Sequence, residues 1–486
     1  MAKVLMIQGT ASGAGKSLVA AGLLRIMKQD GYRVAPFKSQ NMALNSYVTP
    51  DGFEIGRAQA MQAEAAGIPC DVRMNPVLLK PTGNNTSQVI FMGEVVRDMS
   101  TEEYTAKKQE YAKKILDVYN SLASEYDIII IEGAGSPAEI NLNQHDFVNM
   151  GMAEMVNSPV FIVGDIDKGG VFASLYGTVE LIPKDCRHLI KGTIINKFRG
   201  NISLLGTGLT QLEELTKVPC VGVIPYGSFV IDDEDSVTER LAVHSYGDEI
   251  DVAVIRLPHI SNFTDFSPFE LAPGVRVRYV ERPEHVATPD LLIIPGTKNT
   301  MFDLSWMKKS GIAAEVRRYA SGGNPVFGIC GGYQMLGKSL KDPYGVEEGG
   351  EERGLGLLDI ETVFGKEKTR KQTEGVLANV GGIFANLSGR KFTGYEIHMG
   401  ESEASGNIVN KGNVYGTYIH GVFDTADVIS VIVKALEKKK GIEETSQDFL
   451  DVKAYKETQY DLLADTVRDA LDMDYVYKVI EEGIQD

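Results

Sequence analysis

Short apolar runs alternate with longer amphipathic stretches through the first half of the chain. Val4-Leu-Met-Ile7 reads as a buried strand, followed by a glycine-rich loop and a helix from Leu18 to Gln29 that closes near Gly31. Arg33-Val-Ala-Pro-Phe37 is a second strand, and Ile55–Ala66 a helix with Gly67 placed for a left-handed C-cap. Ser100-Thr-Glu-Glu103 is a capping box that opens a long helix toward Glu125. Asp127-Ile-Ile-Ile-Ile131 is apolar on both faces, which only a sheet covered on both sides tolerates. Pro159–Val163, Thr193–Ile195 and Val221–Ile224 continue the series. Strands that alternate with helices predict a parallel, doubly wound α/β sheet. A second series begins at Asp251-Val-Ala-Val-Ile255, runs through Leu291–Ile294 and Pro325–Ile329, and ends near Tyr415–His420. It predicts a second α/β domain of the same class. The acidic run Asp232-Asp-Glu-Asp235 and the polar stretch to Glu249 divide the two. The expected organisation is therefore a domain over 1–231, a linker over 232–249, a domain over 250–440 and a charged, helix-prone tail over 441–486.

Length and composition narrow the function classes. A chain of 486 residues is too long for one core. Acidic residues outnumber basic ones 66 to 49, a formal charge of -17, which argues against a nucleic-acid partner whose binding rests on neutralising phosphates. An anionic substrate would need a locally basic pocket against that field. Four widely spaced cysteines, Cys70, Cys186, Cys220 and Cys330, form no C-x-x-C pair, so neither a disulfide framework nor a zinc site is expected. The N-terminus runs straight into a strand without the cationic and apolar regions of a signal peptide, and no apolar run is long enough for a membrane helix. A cytoplasmic location without membrane contact is the expectation.

Two motifs carry chemistry. In Gly9-Thr-Ala-Ser-Gly-Ala-Gly-Lys16-Ser17, a strand leads into glycines that let backbone N–H groups approach phosphate oxygens, and a helix follows. The first glycine falls one residue earlier than the common spacing would put it, at Gly9 rather than Thr10, so the loop is a longer variant. Gly13 and Gly15 allow close backbone approach, Lys16 reaches the terminal phosphates, and the Ser17 hydroxyl ligates magnesium. Glu132 ends a buried strand beside this loop, where a carboxylate has few structural reasons to exist. The second motif, Gly328-Ile-Cys330-Gly-Gly332, fits a tight strand-to-helix turn that exposes a nucleophile. Gly331 N–H is a natural oxyanion donor, the loop at Gly296 a source for the second, and the following helix favours the ionised sulfur. His420, ending a strand, is placed to act as the base. His398 is a competing histidine that reads as structural or substrate-facing.

The phosphate loop resembles that of the dethiobiotin synthetases, which activate carboxylates with ATP; Ala11 stands where the related partitioning ATPases carry an extra lysine. The resemblance implies that Lys38 contacts phosphate or substrate, that Glu132 is the second magnesium ligand, and that Asn196 reads the adenine, although a turn-forming asparagine fits equally. The second half is similar to class I glutamine amidotransferase domains, with one departure: Val422 occupies the place of the acid in their usual His-x-Glu. A Cys330–His420 dyad without an orienting acid is the expectation.

Gln40–Asp51, Glu54–Gln59, Asn75–Gly83, Glu132–Asn141, Gly164–Ala173 and His259–Asp265 are long, unusual stretches in which the chain resembles the cobyric acid synthase family. The likeness runs to about residue 440. It implies ATP, Mg2+ and glutamine as reactants, and adenosylcobyrinic acid a,c-diamide as the corrinoid whose b, d, e and g carboxylates are amidated through acyl phosphates. Under it, Arg57, Arg73, Lys80 and Lys168 would form a basic surface for the corrinoid carboxylates. Asp165 and Asp167 would take substrate or magnesium roles, and Asp51 a magnesium role. Two alternatives stay open at this level: an amidotransferase of the same architecture acting on another carboxylate (the a,c-diamide step or a cell-wall lipid), and a nucleotide-switched binding protein with a dead amidase.

Overall fold

The computed structural model describes residues 2–485 except 84, 142–145, 228, 230, 232–249, 287, 405 and 444–446, so the expected linker lies outside the described residues. The chain forms two compact units. One gathers Met1–Ala43, Glu54–Glu234 and Lys456–Asp486, and the other Leu44–Phe53 and Asp235–Tyr455. Two pieces therefore depart from the expected linear division: a ten-residue segment of the first half, Leu44–Phe53, belongs to the second unit, and most of the tail returns to the first.

The first unit is built on a six-stranded parallel sheet in the spatial order Cys220–Pro225, Ile190–Phe198, Val160–Asp165, Lys3–Gly9, Ile128–Glu132, Val34–Phe37. The isoleucines of Ile128–Glu132 are buried on both faces, as a strand central to a doubly wound sheet requires. The capping box at Ser100 forms in full, with Ser100 Oγ accepting from Glu103 N and Glu103 accepting from Ser100 N. Gly67 takes the left-handed C-cap expected of it, while the preceding helix starts at Arg57 because Glu54–Gly56 is extended. A smaller sheet of Gln40–Met42, Val77–Gly83, Thr86–Phe91 and Glu94–Ser100 was not legible as strands, since prolines and polar residues break its alternation.

The returning tail completes this unit's core. Tyr460, Leu463, Ala464, Val467 and Leu471 are buried in one cluster with Val19, Leu23 and Ile26 of the helix Lys16–Gln29. The approach is close: a Cβ on Gly22 would lie 2.7 Å from Val467 Cγ2. Arg25, itself almost buried, pairs with Glu457 and Asp461, each at 2.8 Å. Removing a side chain from this face forfeits both transfer energy and packing. Leu463→Ala should destabilise the first unit by about 2–5 kcal/mol, read as a lower urea midpoint; a shift worth under about 1 kcal/mol would mean that the tail is only draped on the core.

The second unit has a six-stranded sheet in the order Val275–Val280, Ile250–Ile255, Leu291–Ile294, Val326–Ile329, Val414–Thr417, Val409–Lys411, parallel except for the last pair. A second, mixed sheet runs Gly350–Arg353, Ser339–Asp342, Glu361–Val376, Lys391–Ser402, Ile419–His420. His420 thus sits on a two-residue strand paired with the long strand through Tyr395, just past the parallel strand Val414–Thr417.

Candidate active site

The strand Lys3–Gly9 delivers the phosphate loop to the C-terminal edge of the first unit's sheet, the edge at which open α/β sheets bind ligands. Gly15 adopts φ 95°, and a Cβ there would stand 2.0 Å from Asn196 Nδ2, so both conformation and space demand glycine. Thr10 N donates to Val163 O at 2.9 Å, and Gly9 packs against the Lys16 side chain. Lys16 Nζ bends back over the loop and donates to Ala11 O and Gly135 O, both at 3.0 Å. Asn196 Nδ2 donates to Ala14 O at 3.0 Å, so its amide braces the loop; an adenine-reading role rests on the resemblance alone.

Three side chains converge on Glu132, which is almost fully buried. Ser17 Oγ donates to Glu132 Oε1 at 2.8 Å, Lys38 Nζ pairs with the same oxygen at 3.0 Å, and Gln62 Nε2 donates to Oε2 at 2.5 Å. Gln62, on the helix Arg57–Ala66, escaped sequence reasoning because nothing in its helix marks it out. Its carbonyl Oε1 is buried without a hydrogen-bond partner, as is Asn149 Oδ1, whose amide nitrogen donates to Ala134 O. A serine hydroxyl against a buried carboxylate is a pair of hard oxygen donors of the kind Mg2+ takes beside phosphates. No cluster of three or more His, Cys, Asp or Glu side chains suited to a metal occurs among the described residues. Asp51, expected as a magnesium ligand, is an exposed turn residue of the second unit, where Gly52 N donates to Thr49 O.

The residues expected to meet the corrinoid divide. Lys168 Nζ reaches the phosphate loop, 3.6 Å from where a Gly13 Cβ would be. Lys197, which the sequence did not single out, donates to Gly13 O at 2.9 Å and pairs with Asp165 at 3.1 Å. Asp167 pairs with Arg199 at 3.0 Å. Arg73 is chelated by Asp71 and Glu125, each as close as 2.6 Å, and these carboxylates raise its pKa; Lys80 is buried against Glu54 at 2.5 Å. Both cations are therefore compensated within the fold, which corrects their expected place on a free basic surface. Arg57 is buried at the start of its helix.

In the second unit, Cys330 ends the strand Val326–Ile329 and precedes the helix Gly331–Leu336, with φ 50° and ψ -109°. A β-substituted residue rarely holds such a backbone, and this strain is typical of an exposed nucleophile turn. The turn closes because its glycines accept neighbours where side chains would collide: a Cβ on Gly332 would stand 2.0 Å from Ile294 O, and one on Gly331 2.7 Å from Thr297 Cγ2 and 3.2 Å from Thr297 N. The loop Pro295–Thr297 thus abuts Gly331, and Gly296 faces the imidazole, its Cβ position 3.2 Å from His420 Cε1. Cys330 N donates to Thr417 O at 2.8 Å and its sulfur lies 3.5 Å from Ile397 O.

His420 has an orienting acid after all. Asp265 Oδ2 receives a 2.7 Å hydrogen bond from His420 Nδ1, and its other oxygen accepts Gly421 N at 2.9 Å. The acid comes from 155 positions upstream, in the turn Phe263–Phe266, so the spacing that marks His-x-Glu could not reveal it. With Nδ1 engaged, the remaining ring nitrogen serves the hydrogen bond to Cys330. Burial works against a charged ring, but the Asp265 charge and hydrogen bond, with the bond to Cys330, outweigh it and raise the His420 pKa to about 10. By contrast, burial pushes the thiols of Cys70 and Cys186 up to about 12, leaving them poor nucleophiles near neutrality. His398 Nδ1 donates to Gly400 O at 2.8 Å and its ring stacks on Tyr418, a structural placement.

Two known families match the two halves. The CobQ/CobB/MinD/ParA nucleotide binding domain matches residues 5–238, and the CobB/CobQ-like glutamine amidotransferase domain residues 251–428. Among curated proteins, the chain is 57% identical to a cobyric acid synthase of Ruminiclostridium cellulolyticum, covering 100% of this chain and 98% of that protein. It is 52% identical to one of Lachnoclostridium phytofermentans over 100% of both, and 49% identical to one of Streptococcus sanguinis over 99% of both.

Proposed function

We propose how this chain, which belongs to the cobyric acid synthase family of glutamine amidotransferases in cobalamin biosynthesis, divides that chemistry between its two units. Full-length identity at this level sets aside the alternatives of another carboxylate substrate and of a binding protein. In the second unit, Cys330 Sγ attacks the side-chain carbonyl carbon of glutamine. Gly331 N–H and a backbone donor of the Pro295–Thr297 loop receive the developing oxyanion. His420, held by Asp265, gives its proton to the departing ammonia as the C–N bond breaks. Water then attacks the thioester with His420 as base, which releases glutamate and restores the thiol.

In the first unit, the phosphate loop and Lys16 cradle the ATP phosphates, and Lys197 and Lys168 add cationic charge at the same loop. Ser17 and Glu132 are the residues that would hold Mg2+, which when bound neutralises charge on the transferring phosphoryl group. A corrinoid carboxylate oxygen takes the phosphoryl group, because a free carboxylate is a poor acyl electrophile. Ammonia displaces phosphate from the acyl phosphate to leave the amide. The substrate we infer is adenosylcobyrinic acid a,c-diamide, amidated in turn at the b, d, e and g positions.

The observation that carries this reading is the Asp265–His420–Cys330 relay on the same chain as a phosphate loop whose serine meets a buried glutamate. The test follows the corrinoid by mass spectrometry with ATP, magnesium and either glutamine or ammonium as the nitrogen source. Stepwise conversion of carboxylates to amides is expected from both sources. Cys330→Ala should abolish turnover with glutamine and leave turnover with ammonium. An unchanged corrinoid while glutamine is still hydrolysed would sink the substrate assignment.

A further inference from the structure

The second unit contains one piece of chain that sequence order assigns elsewhere, Leu44–Phe53, whose neighbours on both sides, Ala43 and Glu54, belong to the first unit. Its residues do not merely cover the surface. Asn45 Oδ1 accepts the backbone N–H of Asn262 at 2.7 Å, and Ser46 N donates to Asn262 Oδ1 at 3.1 Å. These two bonds clamp Asn262 at φ 52°, in the left-handed region that asparagine enters more readily than most residues with a side chain. Asn262 in turn opens the turn that carries the acid: its carbonyl accepts Asp265 N at 3.1 Å, and its side-chain nitrogen stands 3.4 Å from both ring nitrogens of His420.

A second line of contacts reaches the same imidazole. Tyr395 pairs with His420 across the two strands, and the rings stack with centroids 5.2 Å apart. The Tyr395 hydroxyl donates to Ser46 O at 3.1 Å, and Tyr47 meets the Tyr395 ring edge-on at 4.9 Å. Val48 joins Tyr395 and Ile397 in a small buried cluster, and the Gln372 amide binds Val48 O.

From these contacts we propose that Asn45 and Ser46 are positioning residues of the glutaminase reaction. Acting through Asn262 and Tyr395, they set the orientation of His420 and Asp265 toward Cys330. The proposal rests on the glutaminase reading given above and adds to it a part of the site that lies far from the amidotransferase sequence.

The test uses full-length Asn45→Ala, Asn45→Asp and Tyr395→Phe, with Cys330→Ala as control. Asn45→Ala should lower kcat for glutamine hydrolysis about ten- to a hundred-fold, the scale of a displaced reacting group, and leave the KM for glutamine and ammonium-dependent amidation within about two-fold. Asn45→Asp keeps the acceptor for Asn262 N–H and should recover kcat to within about three-fold of the parent, which loss of packing alone would not predict. Tyr395→Phe, which keeps the ring and loses only the hydroxyl, should lower kcat about two- to five-fold and serves if Asn45→Ala does not fold. Parent-like kcat in both Asn45→Ala and Tyr395→Phe, or a parallel fall of ammonium-dependent turnover, overturns the positioning role. If Cys330→Ala retains glutamine-dependent turnover, the glutaminase reading itself has failed; if it is inactive while Asn45→Ala and Tyr395→Phe are both parent-like, only the positioning role has.

Discussion

Asp265→Asn should cut glutamine-dependent turnover by about three to four orders of magnitude, the cost of an imidazole left in the wrong tautomer, with ammonium-dependent amidation preserved. The physical chain is short. Asp265 accepts from His420 Nδ1 at 2.7 Å and from Gly421 N at 2.9 Å, so the asparagine must turn its NH2 toward one of two existing donors. The pH profile should move with a definite sign. Burial depresses the His420 pKa, and the Asp265 charge is the main effect that reverses this and raises it to about 10. Without the carboxylate, burial is less opposed and the folded-state pKa falls. The ring that protonates departing ammonia then loses its proton at lower pH, so the alkaline limb of kcat should shift to lower pH in the variant. The measurement is glutaminase kcat against pH for parent and variant, with circular dichroism to verify folding. A loss below about ten-fold, or an alkaline limb that stays in place, would show that His420 does not depend on this acid.

Lys16→Ala should have the complementary signature: loss of amidation with both nitrogen sources, by at least about a hundred- to a thousand-fold, the range for removing one preorganised charge-stabilising donor. Its ammonium group already lies across the loop, spanning Ala11 O and Gly135 O at 3.0 Å, and is supplied by the first residue of the helix that follows the glycines. Glutamine bond cleavage at Cys330 uses none of these atoms, so hydrolysis measured without corrinoid should persist. The assay pairs corrinoid amidation from ammonium with glutamate release. Amidation from ammonium that survives Lys16→Ala within about ten-fold would place the phosphoryl chemistry elsewhere. Together the two variants separate the half-reactions: one abolishes a nitrogen source, the other the activation that every source needs.

What the amino-acid order determined by itself is what is local along the chain. The alternation of apolar runs and helical stretches marks both parallel sheets, because strand and helix periodicity are set by residues a few positions apart. The phosphate loop from Gly9 to Ser17 and the Cys330 turn were legible for the same reason: each is one contiguous stretch whose glycines and reactive side chain are needed together. Glu132 and His420 could be placed because each ends a recognisable strand.

Only the tertiary structure decided which distant groups complete those motifs. Asp265 lies 155 positions from His420, and Gln62 lies 70 from Glu132, so neither distance leaves a periodic trace. Lys197 reaches the phosphate loop only because Ile190–Phe198 lies beside Val160–Asp165, two strands away from the strand that carries the loop. Arg73 and Lys80 meet Glu125 and Glu54, carboxylates that the fold brings to them from 52 and 26 positions away. The segment Leu44–Phe53 and the tail from Lys456 belong to units that their sequence neighbours do not predict. In each case the deciding energy is burial or a hydrogen bond between residues far apart in sequence, and such pairings exist only once the chain has closed its long loops.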